Sequence, residues 1–335
     1  MSLNAVKMLG ISVTISPKDK ILEYLEKGLE KRLAFRSQLS AKQKKTLVVV
    51  TPNPEQIVLA QEDTHFAKIL NRADVALPDG IGLAIASRFL SYHVSPIPYH
   101  ETIRRIPGVE FMDDLAGLAA KRGYPIALIG GRAGVAVSVL ECLRRKYPGL
   151  TGWAMEPGEL PILPITNTTP AKRDPQCCIS DKDRKQHRDN TTNNKYDQYF
   201  QDIIRKIRKT RTRIIFVGLG APKQEYFIEA ISDLPRGSGQ VPRNSGQELS
   251  EKSGQPEEKK LKAESWKLKA PLILMSVGGS FDIISGRTPR APSFVRAIGL
   301  EWFWRLVHEP WRWKRQLVLV KFLWLVIREK LASKG

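Results

Sequence analysis

The fold is decided by residues 51–82, which read TPNPEQIVLAQEDTHFAKILNRADVALPDGIG. The stretch follows a continuous apolar run, Leu47–Val50, which is typical of a buried strand in a parallel sheet. Asn53 and the proline after it predict the start of a single helix that carries apolar residues inward as far as Leu70. A second short strand, Val75–Leu77, ends at a proline, so the stretch predicts a βαβ unit with two parallel strands.

Three polar side chains are predicted at the carboxyl ends of these two strands: Thr51, Asn53 and Asp79. Open α/β sheets bind their ligands at that edge. Asp79 lies on a Pro-Asp-Gly turn, where a carboxylate is a candidate general base. The alternative is that Asp79 only caps the helix that is predicted to begin near Ile81, and this stretch taken alone slightly favours the alternative.

The composition limits the class of protein. The chain has 335 residues, of which 42% are hydrophobic, and this is enough to bury a sizeable core. Its three cysteines are too few for a disulfide framework, and no apolar signal segment follows Met1, so we expect a cytoplasmic protein. The formal net charge of +20 indicates an anionic partner, which is a nucleic acid, an acidic lipid or a phosphorylated substrate.

Three further apolar runs predict buried strands: Pro125–Ile129, Arg213–Gly218 and Pro271–Val277. With the helical segments between them, they predict an α/β fold with a Rossmann-like, mostly parallel sheet and flanking helices. Two polar stretches, near 155–194 and 236–269, lack apolar periodicity and are predicted to be disordered insertions.

Glycines follow each of these strands and predict a site for nucleotide phosphates. A glycine turn before a helix presents free backbone N–H groups and the positive end of the helix dipole. The candidate nucleotide-binding residues are Gly130, Gly131, Gly218, Gly220, Gly278 and Gly279. The glycine fingerprint GxGxxG is incomplete and a matching acidic partner for a ribose is lacking, which argues against a Rossmann oxidoreductase; the P-loop lysine motif is also absent.

The last segment, 286–335, differs from the predicted core at 1–285. It has eleven Lys and Arg against three Glu, a net charge of +8, and five of the seven tryptophans. The pattern predicts a basic helical appendage of two helices, Pro292–His308 and a second that begins at Trp311, on an anionic membrane surface or packed on the protein. Its apolar run is shorter than the roughly 20 residues that span a bilayer. A nucleic-acid-binding protein with a basic, aromatic tail is the alternative, but no helix-turn-helix, zinc-finger or RNP motif supports it.

Seven motifs occur in one order: TPNPEQ, NRADVALPDGIG, RRIPGVEFMDDL, LIGGRAG, GLGAPKQE, VGGSFDIISGRTPRAP and GLEWFWRLVHEPWRW. Together they resemble the WecG/TagA/CpsF glycosyltransferases, glycosyltransferase family 26, from about Val6 to Arg315 apart from the two insertions. Each motif alone is weak, whereas the ordered set is specific.

The resemblance implies an inverting, metal-independent enzyme without a cofactor. Such enzymes move a sugar of the N-acetylmannosamine type or a hexose from a UDP-sugar to a polyprenyl-diphosphate-linked sugar in cell-envelope or exopolysaccharide synthesis. It implies a peripheral protein on the inner face of the plasma membrane, with no nucleic-acid partner, and leaves a homo-oligomer open.

The resemblance also implies roles for single residues. Asp79 matches the proposed general base of the family. The residues that match the sugar and acceptor pocket, or the appendage arginines that close over it and contact the diphosphates, are Thr51, Asn53, Gln224, Arg305, Arg312 and Arg315. Outside the predicted insertions the sequence has no DxD motif, so arginines and backbone donors are expected to stabilise the departing UDP.

Overall fold

The structure is a computed structural model, and it describes residues 2–34, 46–90, 103–156, 198–232, 271–310 and 313–332. The two predicted insertions lie almost entirely outside these residues.

Within these described ranges, eight strands form two sheets. The strands are β1 (Ala5–Met8), β2 (Ile11–Thr14), β3 (Thr46–Val50), β4 (Val75–Ala76), β5 (Ile126–Gly130), β6 (Gly152–Met155), β7 (Ile214–Gly218) and β8 (Leu272–Ser276). β1 and β2 form an antiparallel hairpin, and the other six form a sheet in the order β4-β3-β8-β7-β5-β6. Every pair in the six-stranded sheet is parallel, and β8 lies between β3 and β7 with Val48 opposite Leu274. The predicted Rossmann-like sheet is therefore confirmed.

Helices connect and cover the strands. They are α1 (Lys18–Ala34), α2 (Pro54–Glu62), α3 (Thr64–Arg72), α4 (Ile81–Leu90), α5 (Gly108–Arg122), α6 (Val135–Lys146), α7 (198–210), α8 (Lys223–Ile231), α9 (Ser280–Ile284), α10 (Ser293–Ala297), α11 (Glu301–His308) and α12 (Trp313–Ala332).

Successive side chains of each strand enter opposite cores, as the two-residue period of a strand requires. In β3, Val48 and Val50 belong to the core beneath α2, α3, α7 and α8. Leu47 and Val49 belong to the core beneath α1, α5 and α6. All five residues of β3 are buried, which explains why the strand reads as one continuous apolar run.

The last helix, α12, packs on the body of the protein. Its Phe322, Leu325 and Val326 are buried in the same core as α2 and α4. Lys321 contacts Glu62 at the end of α2, and Glu329 accepts from the backbone N–H of Leu9. Among the described residues no helix is long and apolar enough to cross a membrane.

Three boundaries differ from the sequence-based prediction. The single helix predicted after Asn53 is two helices, because the Asp63 carboxylate accepts from the backbone N–H groups of His65 and Phe66 and starts α3. The segment Val6–Ser12, whose sequence predicts one short strand, lies in a hairpin that turns at Gly10. The first appendage helix is interrupted before α11 at Gly299, whose φ of +78° ends α10.

Candidate active site

The turn that carries Asp79 is held by backbone hydrogen bonds at the carboxyl edge of the sheet. The Asp79 N–H donates to the carbonyl of Pro52 at 3.0 Å, which ties the turn to the exit of β3. On the other side, the Ile106 N–H donates to the carbonyl of Pro78 at 3.0 Å. The carboxylate therefore projects from a fixed turn that follows β4 in the chain and lies in space beside the segment before α5.

Two other residues meet Asp79 at this point. The backbone N–H of Gly108, the first residue of α5, donates to the Asp79 carboxylate. A Cβ atom at Gly108 would lie 3.7 Å from Asp79 Oδ2 and 3.2 Å from Thr51 Cγ2, so Gly108 leaves the room in which the two side chains converge. This hydrogen bond joins the Asp79 carboxylate to the start of α5, a helix that the capping alternative does not name.

The environment of Asp79 raises its pKa. Burial is the largest cause, because the half-buried carboxylate has lost much of its water, and the charge of Glu301 acts in the same direction. Arg105, Arg305 and the Gly108 N–H oppose the shift without cancelling it. A carboxylate with a raised pKa is a stronger base than an exposed aspartate, as a residue that removes a proton from a sugar hydroxyl needs to be.

Two arginines and a glutamate complete a charged cluster around Asp79. Arg105 precedes α5 and donates from Nη2 to Glu301 of α11. Arg305, one turn further along α11, has its Nη2 atom 3.8 Å from the second Glu301 oxygen. The arginine side chains are only 18% and 26% exposed, so the appendage brings charge into a largely buried site.

Gln224 lies deeper at the same edge and is only 1% exposed. Its Oε1 accepts from the Gly278 N–H at 2.9 Å, and its Nε2 donates to Glu225 at 2.8 Å. The Thr51 hydroxyl donates to the Ser276 carbonyl at 3.4 Å. These bonds link the exits of β3, β7 and β8 into one polar floor. Asn53 lies beside it and caps α2, because its Oδ1 accepts from the Gln56 N–H at 2.9 Å.

The predicted nucleotide-binding glycines fall into two groups. Gly130 and Gly218 meet across neighbouring strands: a Cβ atom at Gly130 would lie 2.4 Å from the Gly218 oxygen, so sheet packing alone requires glycine there. A Cβ atom at Gly131 would touch Val135 at 3.2 Å. At Gly220, Gly278 and Gly279 a Cβ atom would meet no atom within 4 Å, so these positions border open space at the site edge.

The start of α6, which the glycine turn predicts as an anion site, contacts a carboxylate of the protein itself. Glu156 follows β6 and accepts from the N–H groups of Gly134 at 3.0 Å and Ala136 at 3.2 Å. Arg287 donates to the carbonyls of Arg132 and Ala133 in the same turn, each at 3.0 Å. The turn thus has the chemistry of an anion site, and a glutamate uses it.

Two of the predicted arginines are not described by the structure. Arg312 lies outside the described residues. Arg315 belongs to α12, but its side chain lies outside what the structure describes. Within the described ranges no group of three His, Cys, Asp or Glu residues is arranged to hold a metal ion.

Sequence reasoning missed two acidic members of this site. Glu301 is separated from Arg105 by 196 residues, and nothing in the local pattern of α11 indicates that its carboxylate points inward. Glu225 follows Gln224 in a helical first turn, a place where an exposed glutamate is ordinary. Arg104 and Arg105 stand together before a helix, and such a pair can either bind a phosphate or simply be solvated. Arg104 is exposed, whereas the Arg105 side chain is only 18% exposed and pairs with Glu301.

Comparison with known proteins decides the family. The model of the Glycosyl transferase WecG/TagA/CpsF family matches residues 28–237 and 253–335, which include both the sheet and the appendage. The chain belongs to the WecG/TagA/CpsF family.

Curated relatives agree with the WecG/TagA/CpsF assignment. The chain is similar to the N-acetylglucosaminyldiphosphoundecaprenol N-acetyl-beta-D-mannosaminyltransferase of Bacillus subtilis, with 25% identity over 319 residues, or 93% of this chain and 91% of the relative. It is also similar to the protein of the same name in Bacillus spizizenii, with 24% identity over 312 residues and the same shares of the two chains. Membership of the WecG/TagA/CpsF family makes the protein a glycosyltransferase.

Proposed function

We propose that the protein transfers a sugar from a UDP-sugar to a polyprenyl-diphosphate-linked sugar, with inversion at the anomeric carbon and without a metal ion. The single observation that carries this proposal is a half-buried carboxylate, Asp79, that feels the charges of two arginines, Arg105 and Arg305, at the carboxyl edge of a parallel sheet. Both relatives are named for an acceptor in which a diphosphate joins a sugar to undecaprenol, and both are named for the transfer of N-acetylmannosamine.

The chemistry needs one base. The acceptor hydroxyl attacks the anomeric carbon from the face opposite UDP, and it loses its proton as the new bond forms. Asp79 is the candidate for that proton, because its raised pKa favours proton uptake and a single displacement needs no second carboxylate. Inversion follows from one displacement.

The departing UDP gains negative charge, which positive groups must stabilise. Arg105 and Arg305 supply such charge beside Asp79, and Arg312 and Arg315 are proposed to add to it. Arginine suits this role because its planar guanidinium group pairs with two phosphate oxygens at once. Metal independence is proposed because arginines provide the charge that a metal ion provides in other glycosyltransferases.

The rest of the site is proposed to bind the substrates. Gly220, Gly278 and Gly279 border open space and are the best placed of the six glycines for close approach by the nucleotide. Thr51 and Asn53 are proposed to line the sugar pocket. Gln224 is proposed to shape that pocket, because both ends of its amide already contact the protein.

An assay with defined substrates tests the proposal. The full-length protein is incubated with a short-chain polyprenyl-diphospho-N-acetylglucosamine and, separately, UDP-N-acetylmannosamine, UDP-glucose and UDP-N-acetylglucosamine, with and without EDTA. We expect a disaccharide product with one donor, unchanged by EDTA, and an inverted anomeric centre by NMR. The free monosaccharide as acceptor is the control. Absence of product with every donor, or its loss in EDTA, would contradict the proposal in whole or in its metal-independent part.

We propose in addition that the appendage binds the membrane that holds the acceptor. Among the described residues, all large hydrophobic side chains that are exposed lie on α4 or between α10 and α12, with the exception of Val137. Arg328 and Lys330 lie over the rings of Trp324 and Phe89 on this surface. Exposed apolar side chains interleaved with cations fit the interface of an anionic bilayer.

Substitution of three exposed residues of α12 should weaken membrane binding. Leu317, Val320 and Trp324 are 58%, 67% and 55% exposed and lie on one face at helical spacing. Because each apolar side chain that enters the bilayer contributes on the order of 1 kcal/mol, replacing all three with serine should lower affinity for phosphatidylglycerol vesicles about a hundredfold. Vesicle co-sedimentation measures the change.

The control for this experiment is Val137→Ser, which alters an exposed apolar residue on α6 and should leave vesicle binding unchanged. Deletion of the appendage is a poorer test, because it removes the buried residues of α12 from the core. Vesicle binding by the triple variant at the wild-type level would contradict the membrane proposal. Salt-dependent binding to a random DNA duplex, without binding of UDP, would favour the nucleic-acid alternative instead.

A further inference from the structure

A carboxylate of the appendage lies between the two arginines of the candidate active site. Glu301 contacts Arg105 with one oxygen, and its other oxygen is 3.8 Å from Arg305 Nη2. The residue is only 9% exposed. The proposed transfer needs one base, which is Asp79, so the reaction itself does not explain a second carboxylate at this place.

The cluster has more donors than this carboxylate uses. Arg105 Nε is buried and has no hydrogen-bond partner in the described part of the chain, and the same holds for Nε1 of Trp304, the residue before Arg305 in α11. A buried donor without a partner is costly, and it indicates either an acceptor that arrives with a ligand or strain. A diphosphate has more acceptor oxygens than a carboxylate and pairs with arginine in the same bidentate way.

The charges agree with an exchange of anions. With all four groups ionised, Asp79 and Glu301 balance Arg105 and Arg305, and the cluster is neutral. A diphosphate that entered while Glu301 stayed would leave several uncompensated negative charges in a largely buried site, which is unfavourable. Withdrawal of the Glu301 carboxylate removes this conflict. Glu301 is the first residue of α11, a short helix that follows the turn at Gly299.

We propose that Glu301 competes with the diphosphate of a substrate for Arg105 and Arg305, so that the substrate must displace the Glu301 carboxylate in order to bind. This inference rests on the proposed function and adds a residue that sets the affinity for anionic substrates. Glu301 also couples substrate binding to the appendage, because the displaced carboxylate belongs to α11.

Binding measurements on Glu301→Gln test this inference without any sugar transfer. Isothermal titration with UDP and, separately, with the water-soluble geranyl diphosphate distinguishes a nucleotide diphosphate from a lipid diphosphate. Because the amide removes the competing charge, the variant should bind at least one of them about five- to tenfold more tightly than the wild type. Uridine, which has no phosphate, should bind both proteins equally.

Two controls separate competition from other effects. Glu301→Asp keeps the charge and should bind the diphosphates within about twofold of the wild type. Glu141→Gln makes the same charge change as Glu301→Gln on the exposed surface of α6, and it should also leave diphosphate binding within about twofold of the wild type. Thermal melting checks that the variants are folded. Equal or weaker binding of both diphosphates by folded Glu301→Gln would overturn the inference and leave the proposed function intact. If the wild type binds neither diphosphate, the proposed function fails as well.

Discussion

Asp79→Asn should lower the rate of sugar transfer by a factor of about 10² to 10⁴, the usual contribution of a general base. The amide has nearly the shape of the carboxylate, and its oxygen can still accept from the Gly108 N–H, so the fold and the binding of UDP should stay close to those of the wild type. The measurement is the initial rate with saturating donor and acceptor, together with the melting temperature and the affinity for UDP.

Asp202→Asn is the matched control, because it makes the same change on α7, where the carboxylate side chain is 47% exposed and pairs with Arg205. In the wild type, the rate should fall on the acid side with an apparent pKa above the ordinary aspartate value of 3.8, since burial raises the pKa of Asp79. Turnover of Asp79→Asn within about tenfold of the wild type would remove Asp79 from the role of base.

Glu225→Gln should make the protein more stable above neutral pH. Glu225 is completely buried beside Gln224, and this burial raises its pKa from 4.5 to about 7 despite opposing hydrogen bonds. The folded state therefore holds a proton that the unfolded state has already lost between these pH values. Stability from this group is full below pH 4.5 and is lost as the pH rises to about 7, by up to about 3 kcal/mol.

The glutamine variant cannot lose that proton, so its free energy of unfolding should not show this loss. Denaturant unfolding of both proteins at several pH values between 5 and 8 measures the difference, which should grow with pH. Glu141→Gln serves as the control, because it makes the same substitution at an exposed side chain. Stability curves for wild type and Glu225→Gln that run parallel across this range would show that Glu225 stays ionised in the folded state.

The sheet was predictable because each of its central strands is buried on both faces. Such strands read as short apolar runs, and β3, β7 and β8 were found within one or two residues of their ends. The break between α2 and α3 was missed because the apolar spacing continues through it, although Asp63 followed by threonine is itself a helix-start signal.

Only those residues of the candidate site that directly follow parallel strands were predictable from the sequence. Parallel strands place their carboxyl ends at one edge, so Thr51 and Asp79 were expected to lie close together, and both side chains lie beside Gly108. The pairing of Arg105 with Glu301 follows from how the appendage folds back, which depends on packing between distant segments. At Gly130 and Gly218 the sequence signal has a second explanation, because the packing of neighbouring strands and of Phe281 leaves no room for a Cβ atom there.

The order of the strands also has a consequence for the folding of the protein during translation. β8 occupies the middle of the sheet but is the last in sequence of the strands that the structure describes, and it joins β3 and β4 on one side to β5, β6 and β7 on the other. Until β8 has been translated, the edges of β3 and β7 that pair with it in the folded sheet lack that partner strand. Such edges are prone to aggregation and the long-range pairing that closes them is slow, so we expect the sheet to be most exposed to misassembly until β8 has been synthesised.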